Sequence, residues 1–324
     1  MCHLTMGRLR ALSTAMSRAH VSLLAVVVAW AGSFSVIKAA LDEGVSAIDI
    51  AILRYAVAVP GFAFILWRAR GLPGLTRRDA ARVVAAGLLV VLGYHLFLNF
   101  GTRHTTSGIA ALVVALAPGM TVVLAAAVGL ERMRLRHVIG LSVAFAGVVV
   151  VVALGSGQSL SFEGARGPLL VLGAPLSFAL YNILLKPLLG RYDLLALTAA
   201  SSLIGTIGLA PLVRSSTVDV VTGASFEIAA FILYLGVLGT LLGYIAWNAG
   251  LRGLGPTRAV TYAYAIPPLA VVIGAIALDD PITAWLVLGA ALVVGGIVLA
   301  QRGLPPRSWG SVRSWRSALS RSAS

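Results

Sequence analysis

The chain is 324 residues long, 59% of them hydrophobic and only 11% charged, against about 25% charged in an average soluble domain. Its apolar runs are long and uncharged, which excludes a soluble globular fold and a disordered chain, and they lack the alternation of barrel strands. A net charge of +14 would suggest nucleic acid in a soluble protein; in a membrane protein it follows from basic cytoplasmic loops, so a lipid bilayer and no nucleic acid is expected as partner.

A helix needs about 20 apolar residues to cross a bilayer. Ten segments reach that length: Val21–Leu41, Ile50–Trp67, Val83–Gly101, Thr105–Val128, Val138–Leu154, Gly167–Leu185, Leu194–Val213, Ile228–Asn248, Ala259–Leu278 and Ile282–Gln301. The predicted fold class is therefore an all-α integral membrane protein with ten transmembrane helices. Arg8, Arg10 and Arg18 precede the first run as they would in a secretory signal. That run is too long for a signal core and more spans follow, so it reads as a retained helix. The single cysteine, Cys2, cannot pair within the chain.

Charge then orients the bundle. With a cytoplasmic N-terminus, the inner segments hold twenty Lys and Arg residues and the outer loops only Arg103, Arg166 and Arg214. Eight acids lie outside and three inside. The bias places both termini in the cytoplasm of a multi-pass protein of the cell (inner or plasma) membrane.

The chain repeats itself. At a shift of 149 residues Gly87 meets Gly236, Asn99 meets Asn248, Arg103 meets Arg252, Pro118 meets Pro267, and Gly147 meets Gly296. At a shift of 148 Trp30 meets Phe178 and Lys38 meets Lys186. Five helices per copy is an odd number, so the second copy enters the membrane inverted. The expected layout is a cytoplasmic segment 1–20, a first repeat 21–154, an external linker 155–166, a second repeat 167–301 and a basic tail 302–324. Inverted repeats are the architecture of secondary transporters, with the substrate near the midplane.

Particular stretches also resemble a known family. They are "AWAGSFSVIKAAL" at 29–41, "ILRYAVA" opening the second helix, and "APGMTVVLAAAVGLERMRLRHVIG" at 117–140. In the second half they are "LSFALYNILLKPLL" at 176–189, "YLGVLGTLLGYIAWNAGLRGLGPTRA" at 234–259, and "IPPLAVVIGAIALDDPITAWLVLGAALVVGGIVLA" at 266–300. This ordered set is similar to the EamA family of the drug/metabolite transporter superfamily, departing at Asp279-Asp280, where that family more often has Gly-Glu. The resemblance implies a ten-helix exporter or importer of small metabolites around a cavity lined by both halves.

Polar residues inside spans face the bundle interior or a wet cavity. Residues four apart share a helix face, which groups His95 with Asn99, and Thr240 with Tyr244 and Asn248. It likewise groups Trp30, Phe34 and Lys38, and Phe178, Asn182 and Lys186. Tyr94, Tyr181, Trp247, Tyr262 and Tyr264 add aromatic walls. Such a lining suits a small amphipathic metabolite, although buried Asn, His and Tyr also join helices to one another. His95 is the candidate for carrying a coupled proton; the competing reading is a neutral histidine bonded to a neighbouring helix. Arg54 either joins Lys38 in a cationic patch for a carboxylate or gate, or reaches Asp42, Glu43 or Asp49.

Pro118, Pro267 and Pro268 are expected to kink their helices at matching places. Asp280 before Pro281 looks like a helix N-cap. Gly140, Ala144 and Gly147, with Gly289 and Gly296, form small faces that suit close helix support or a homodimer contact. The tail, with Trp309 and Trp315, suits an anionic headgroup surface. No HExxH motif, nucleophile constellation or GxxxxGK[ST] loop occurs, so neither an enzyme, a cofactor nor direct ATP coupling is expected. The function expected is alternating-access export of amino acids or related amphipathic compounds, with a passive facilitator as the alternative.

Overall fold

The computed structural model describes residues 2–131, 133–155 and 162–301. The expected external linker lies partly, and the basic tail wholly, outside the described residues. Among the described residues ten helices are long and apolar enough to cross a membrane: α1 Met16–Asp42, α2 Ala47–Arg68, α3 Arg77–Thr102, α4 Ser107–Ala127 and α5 Leu135–Leu154, then α6 Gly164–Leu188, α7 Leu194–Leu212, α8 Phe226–Leu254, α9 Arg258–Leu278 and α10 Ala284–Gln301. The helix containing α1 already begins at Cys2. Large apolar side chains on the outside stay exposed, Phe226 at 91%, Ile276 at 79% and Ile207 at 72%, as lipid-facing residues do. Because the span count is even, α1 starts and α10 ends on one face of the bundle, the terminal face; the loops at 43–46, 103–106 and 279–283 mark the opposite face.

Helix starts follow local chemistry. Ser46, Thr76, Thr106, Asp193 and Ser225 each accept a backbone N–H from three residues on, satisfying one of the free donors at a helix start. Asp280 is not such a cap, which corrects the expectation: α10 begins at Ala284 under Thr283 Oγ1, which accepts from Leu286 N at 3.1 Å. Asp279 ends α9 in the left-handed region at φ 55°, and Asp280 turns across to α4. A short helix missing from the sequence reading, Ser215–Gly223, packs beside the start of α2. There Asp49 accepts from Ser216 Oγ at 3.0 Å and from Thr217 Oγ1 at 2.5 Å.

The helix irregularities obey the repeat. α3 carries a π-helical stretch at Leu89–Gly93 and α8 one at Tyr234–Leu242, overlapping at the 149-residue shift. α4 is interrupted after Val114 and resumes at Ala117; α9 is interrupted after Ala263 and resumes at Ile266. These breaks also match at that shift. Pro118 and Pro267 sit in the first turn of the resumed segments, where their missing N–H is harmless; the carbonyls four residues back lose their usual donor and the helix parts there.

α5 and α10 form the most intimate pair. A Cβ on Gly140 would meet Gly296 O at 2.5 Å, and one on Gly147 would meet Gly289 O at 2.7 Å. The two small faces therefore cover each other within the chain. One buried cluster joins Phe34, Ile109, Val113, Ala144 and Val271; another joins Tyr55, Phe62, Val91, Tyr181 and Leu197.

Candidate functional site

The site grows from the two π-helical stretches. In a π turn the ordinary i→i−4 pairing slips, and side chains and distant donors take up the backbone groups. Thr240 Oγ1 donates to Leu235 O at 2.8 Å. Gly239 O accepts from Trp30 Nε1 at 3.0 Å and from an Arg54 Nη at 3.2 Å. Arg54 Nε donates to Thr240 Oγ1 at 2.5 Å. In α3, His95 Nδ1 lies 2.9 Å from Val90 O. Because a carbonyl only accepts, Nδ1 carries the hydrogen. One carbonyl of α8 thus ties together α1, α2 and α8, and the matching stretch of α3 orients its histidine.

Rings surround this polar centre in two runs. Trp30 stands 5.4 Å from Trp247 and 6.2 Å from Tyr244, centroid to centroid, and Tyr244 stands 6.2 Å from Phe62. The second run is Tyr55, His95, Tyr94, Phe178 and Tyr181, with centroid spacings of 5.0, 4.8, 5.9 and 5.7 Å. The spacings are those of edge-to-face and offset aromatic contact. The Tyr55 and Tyr244 hydroxyls interact and bring the two runs together. Residues from α1, α2, α3, α6 and α8, from both repeats, thus meet at one place.

Sequence candidates fall into two sets. Trp30, Arg54, Tyr94, His95, Tyr181, Thr240, Tyr244 and Trp247 belong to the cluster. Phe34 lies in the apolar core with Leu98 and Ile109. Asn182 is half-buried. Tyr262 is bonded to His20 of α1 and Tyr264 donates to Gln301 of α10, nearer the terminal face. Asn99 Nδ2 donates to Ala47 O at 2.9 Å, and Asn248 Nδ2 to Tyr244 O at 2.8 Å; both are buried, and both Oδ1 atoms lack a hydrogen-bond partner among the described residues.

Arg54 neither joins Lys38 nor reaches the acids at its own end. Lys38 pairs with Asp42 at 2.6 Å, and Arg54 turns inward to α8. The reason is the Gly239 carbonyl, a buried acceptor 3.2 Å from an Arg54 Nη and nearer than any carboxylate among the described residues. Tyr55, Phe62, Tyr234 and Gly239 were missed. Tyr234 donates to Ala29 O at 3.1 Å, and a Cβ on Gly239 would meet Ser33 Oγ at 2.6 Å. Glu131 and Lys186 pair at 2.7 Å on the terminal face. Asp280 Oδ2 accepts from Ser107 N at 3.1 Å and Ser107 Oγ at 2.8 Å on the opposite face.

With this geometry in place, comparison with known proteins decides the family. The model of the EamA-like transporter family matches residues 17–153 and again residues 165–301. The chain belongs to the EamA-like transporter family. Its two matches are the two repeats of an all-helical, multi-pass membrane transporter, not an enzyme. The chain is 32% identical over 280 residues to a protein of Archaeoglobus fulgidus named as an uncharacterized transporter, covering 86% of this chain and 97% of that one. It is 30% identical to a probable terminal-alkyne amino-acid exporter of Streptantibioticus cattleyicolor, covering 89% and 94%. A protein of known crystal structure, 20% identical, superposes with a TM-score of 0.56 over 89% of this chain and 96% of that one, and so shares the fold.

Proposed function

We propose that this EamA-family chain is a secondary exporter of small amphipathic metabolites, amino acids among them, working by alternating access in the cell membrane with both termini cytoplasmic. Three things support the reading: the basic bias of the terminal face, the relative named as an amino-acid exporter, and aromatic walls around one polar centre.

The observation that carries it is a one-sided closure. On the opposite face the first half of α4 packs on the second half of α9: a Cβ on Gly108 would stand 2.9 Å from a Val271 methyl, and Asp280 holds Ser107. On the terminal face the repeat-related segments, Ala117–Ala127 and Pro256–Ala263, make no extended contact among the described residues. Two inverted copies can exchange the helix packing, although Ser107 maps onto Pro256, so the Asp280–Ser107 lock itself is not duplicated. In the exchanged state the start of α9 closes on Val122 and Ala125, the mates of Val271 and Gly274. Glu131 then leaves Lys186, and Asp280 leaves Ser107 for Lys38, the mate of Lys186. With the terminal face taken as cytoplasmic from its charge, the closed face is the external one, and an export substrate would load from the terminal side.

The test is a cross-link. A Cβ on Gly108 would lie 3.5 Å from Val271 Cβ, within the span a disulfide bridges. In a Cys2→Ser background, Gly108→Cys with Val271→Cys is expected to oxidise readily and to lower amino-acid counterflow in proteoliposomes at least tenfold, with recovery on reduction. Full counterflow through the oxidised protein would rule out alternation at this contact.

A further inference from the structure

We propose that Arg54 is the anchor for a substrate carboxylate, so that the solutes this chain moves are carboxylates with an apolar side chain; this rests on the exporter reading above and names its substrate class. Arg54 is only 6% exposed and lies seven residues into α2, about 10 Å along the helix. Among the described residues the ion pairs are Lys38–Asp42, Arg82–Asp79, Lys186–Glu131, Arg191–Asp79 and Arg252–Asp193. Among the described residues Arg54 has no acid within 4.0 Å. Its partners are a hydroxyl and a carbonyl, held through Nε and one Nη. The other Nη makes no hydrogen bond among the described residues.

A guanidinium does not shed its proton in a protein. A buried charge without a counter-ion is expensive in a bilayer-spanning bundle, and neutral dipoles offset only part of that. The bonds to Thr240 and Gly239 fix the plane of the fork and leave one edge unspent. A carboxylate is the ligand that matches such a fork in charge and geometry. Two runs of rings, Trp30–Tyr244–Phe62 and Tyr55–His95–Tyr94, meet at this centre, so the body of the ligand would meet aromatic side chains. Carboxylate plus apolar body describes aliphatic and aromatic amino acids. A solely structural rivet between α2 and α8 would show no preference among solutes.

The experiment compares L-leucine and L-phenylalanine with their amides as competitors of L-leucine counterflow by the full chain in proteoliposomes, at a pH where both amines are protonated. In the natural protein the amides are expected to compete about 10- to 100-fold more weakly, the range of a charge-assisted hydrogen bond. Arg54→Gln is expected to bring that ratio close to one, and Arg54→Lys to keep part of it. Gly239→Ala keeps the charge but crowds Arg54 Nη2, 3.2 Å from the new Cβ, and is expected to lower the ratio as well; it serves if Arg54→Gln does not fold. Equal competition by acid and amide in the natural protein overturns the proposal and leaves the exporter reading standing. So does an Arg54→Gln protein, monodisperse in detergent, that loses both alike. No counterflow of any amino acid would overturn the substrate class of the exporter reading, and this proposal with it.

Discussion

Thr240 is used twice: its oxygen accepts from Arg54 Nε and its hydrogen goes to Leu235 O. Thr240→Val keeps the shape, removes the acceptor and leaves a buried cationic donor and a π-helix carbonyl short of partners, a loss of about 1–3 kcal/mol. Thermal unfolding in detergent is expected to show that loss, and Thr240→Ser, which restores the hydroxyl, is expected to recover most of it. Outside the spans, burial and the Arg166, Arg103 and Lys38 cations hold the His104 imidazolium pKa below the ordinary histidine value of about 6.5. The folded chain therefore binds fewer protons than the unfolded one just below that pH. Stability is full above about pH 6.5 and falls slightly as pH drops through the lowered value; His104→Asn is expected to flatten the fall, measured as melting temperature between pH 5 and pH 7.5. His104 is largely exposed, so the effect is small. Tyr244 and Asn248 were legible as one stripe because α-helical spacing resumes at Gly243. The partners of Arg54 were not, because the π stretch that frees Gly239 O leaves no hydrophobic period to read, and Tyr55 sits beside Arg54 at a spacing that no stripe selects.

The helices themselves were legible from apolar run length, and their breaks from proline. The partner of each small face was not: glycine spacing tells that something approaches closely, but the same pattern serves a second copy or another helix of the chain. Here α5 and α10 supply each other's partner, and backbone meets backbone. Gly147→Leu would place a side chain against Gly289 O and Val293 N, each 2.7 Å from its Cβ. Neither neighbour is a flexible side chain that could swing away, so the penalty is expected at or above the upper end of the about 1–3 kcal/mol typical of overpacking. Loss of the monodisperse peak on heating in detergent, at a lower temperature than for the natural protein, is the readout. Gly295→Leu on α10, where an added Cβ meets nothing within 4 Å, is expected to melt like the natural protein.

At the scale of the whole molecule, the repeat makes two lysines into opposite probes of one equilibrium. In the present state Lys186 holds Glu131, while Lys38 spends its charge on Asp42, one turn away on its own helix. In the exchanged state proposed above, Lys38 would take Asp280 and Lys186 would give up Glu131. On the proposed alternation, Lys186→Ala removes a bond from the present state, and Lys38→Ala removes one chiefly from the exchanged state. Each pair is partly exposed, with Lys186 and Glu131 both at 25%, so each is worth up to about 1 kcal/mol, a factor of about five in population. The disulfide between Gly108→Cys and Val271→Cys reports that population, because it forms only while the external contact is closed. Lys38→Ala is expected to speed its oxidation or leave it saturated; Lys186→Ala is expected to slow it severalfold. Two lysines that occupy corresponding places in copies of one sequence should then move the same reaction in opposite directions. Shifts of the same sign in both variants would mean that the charges do not exchange partners, even if the helices do.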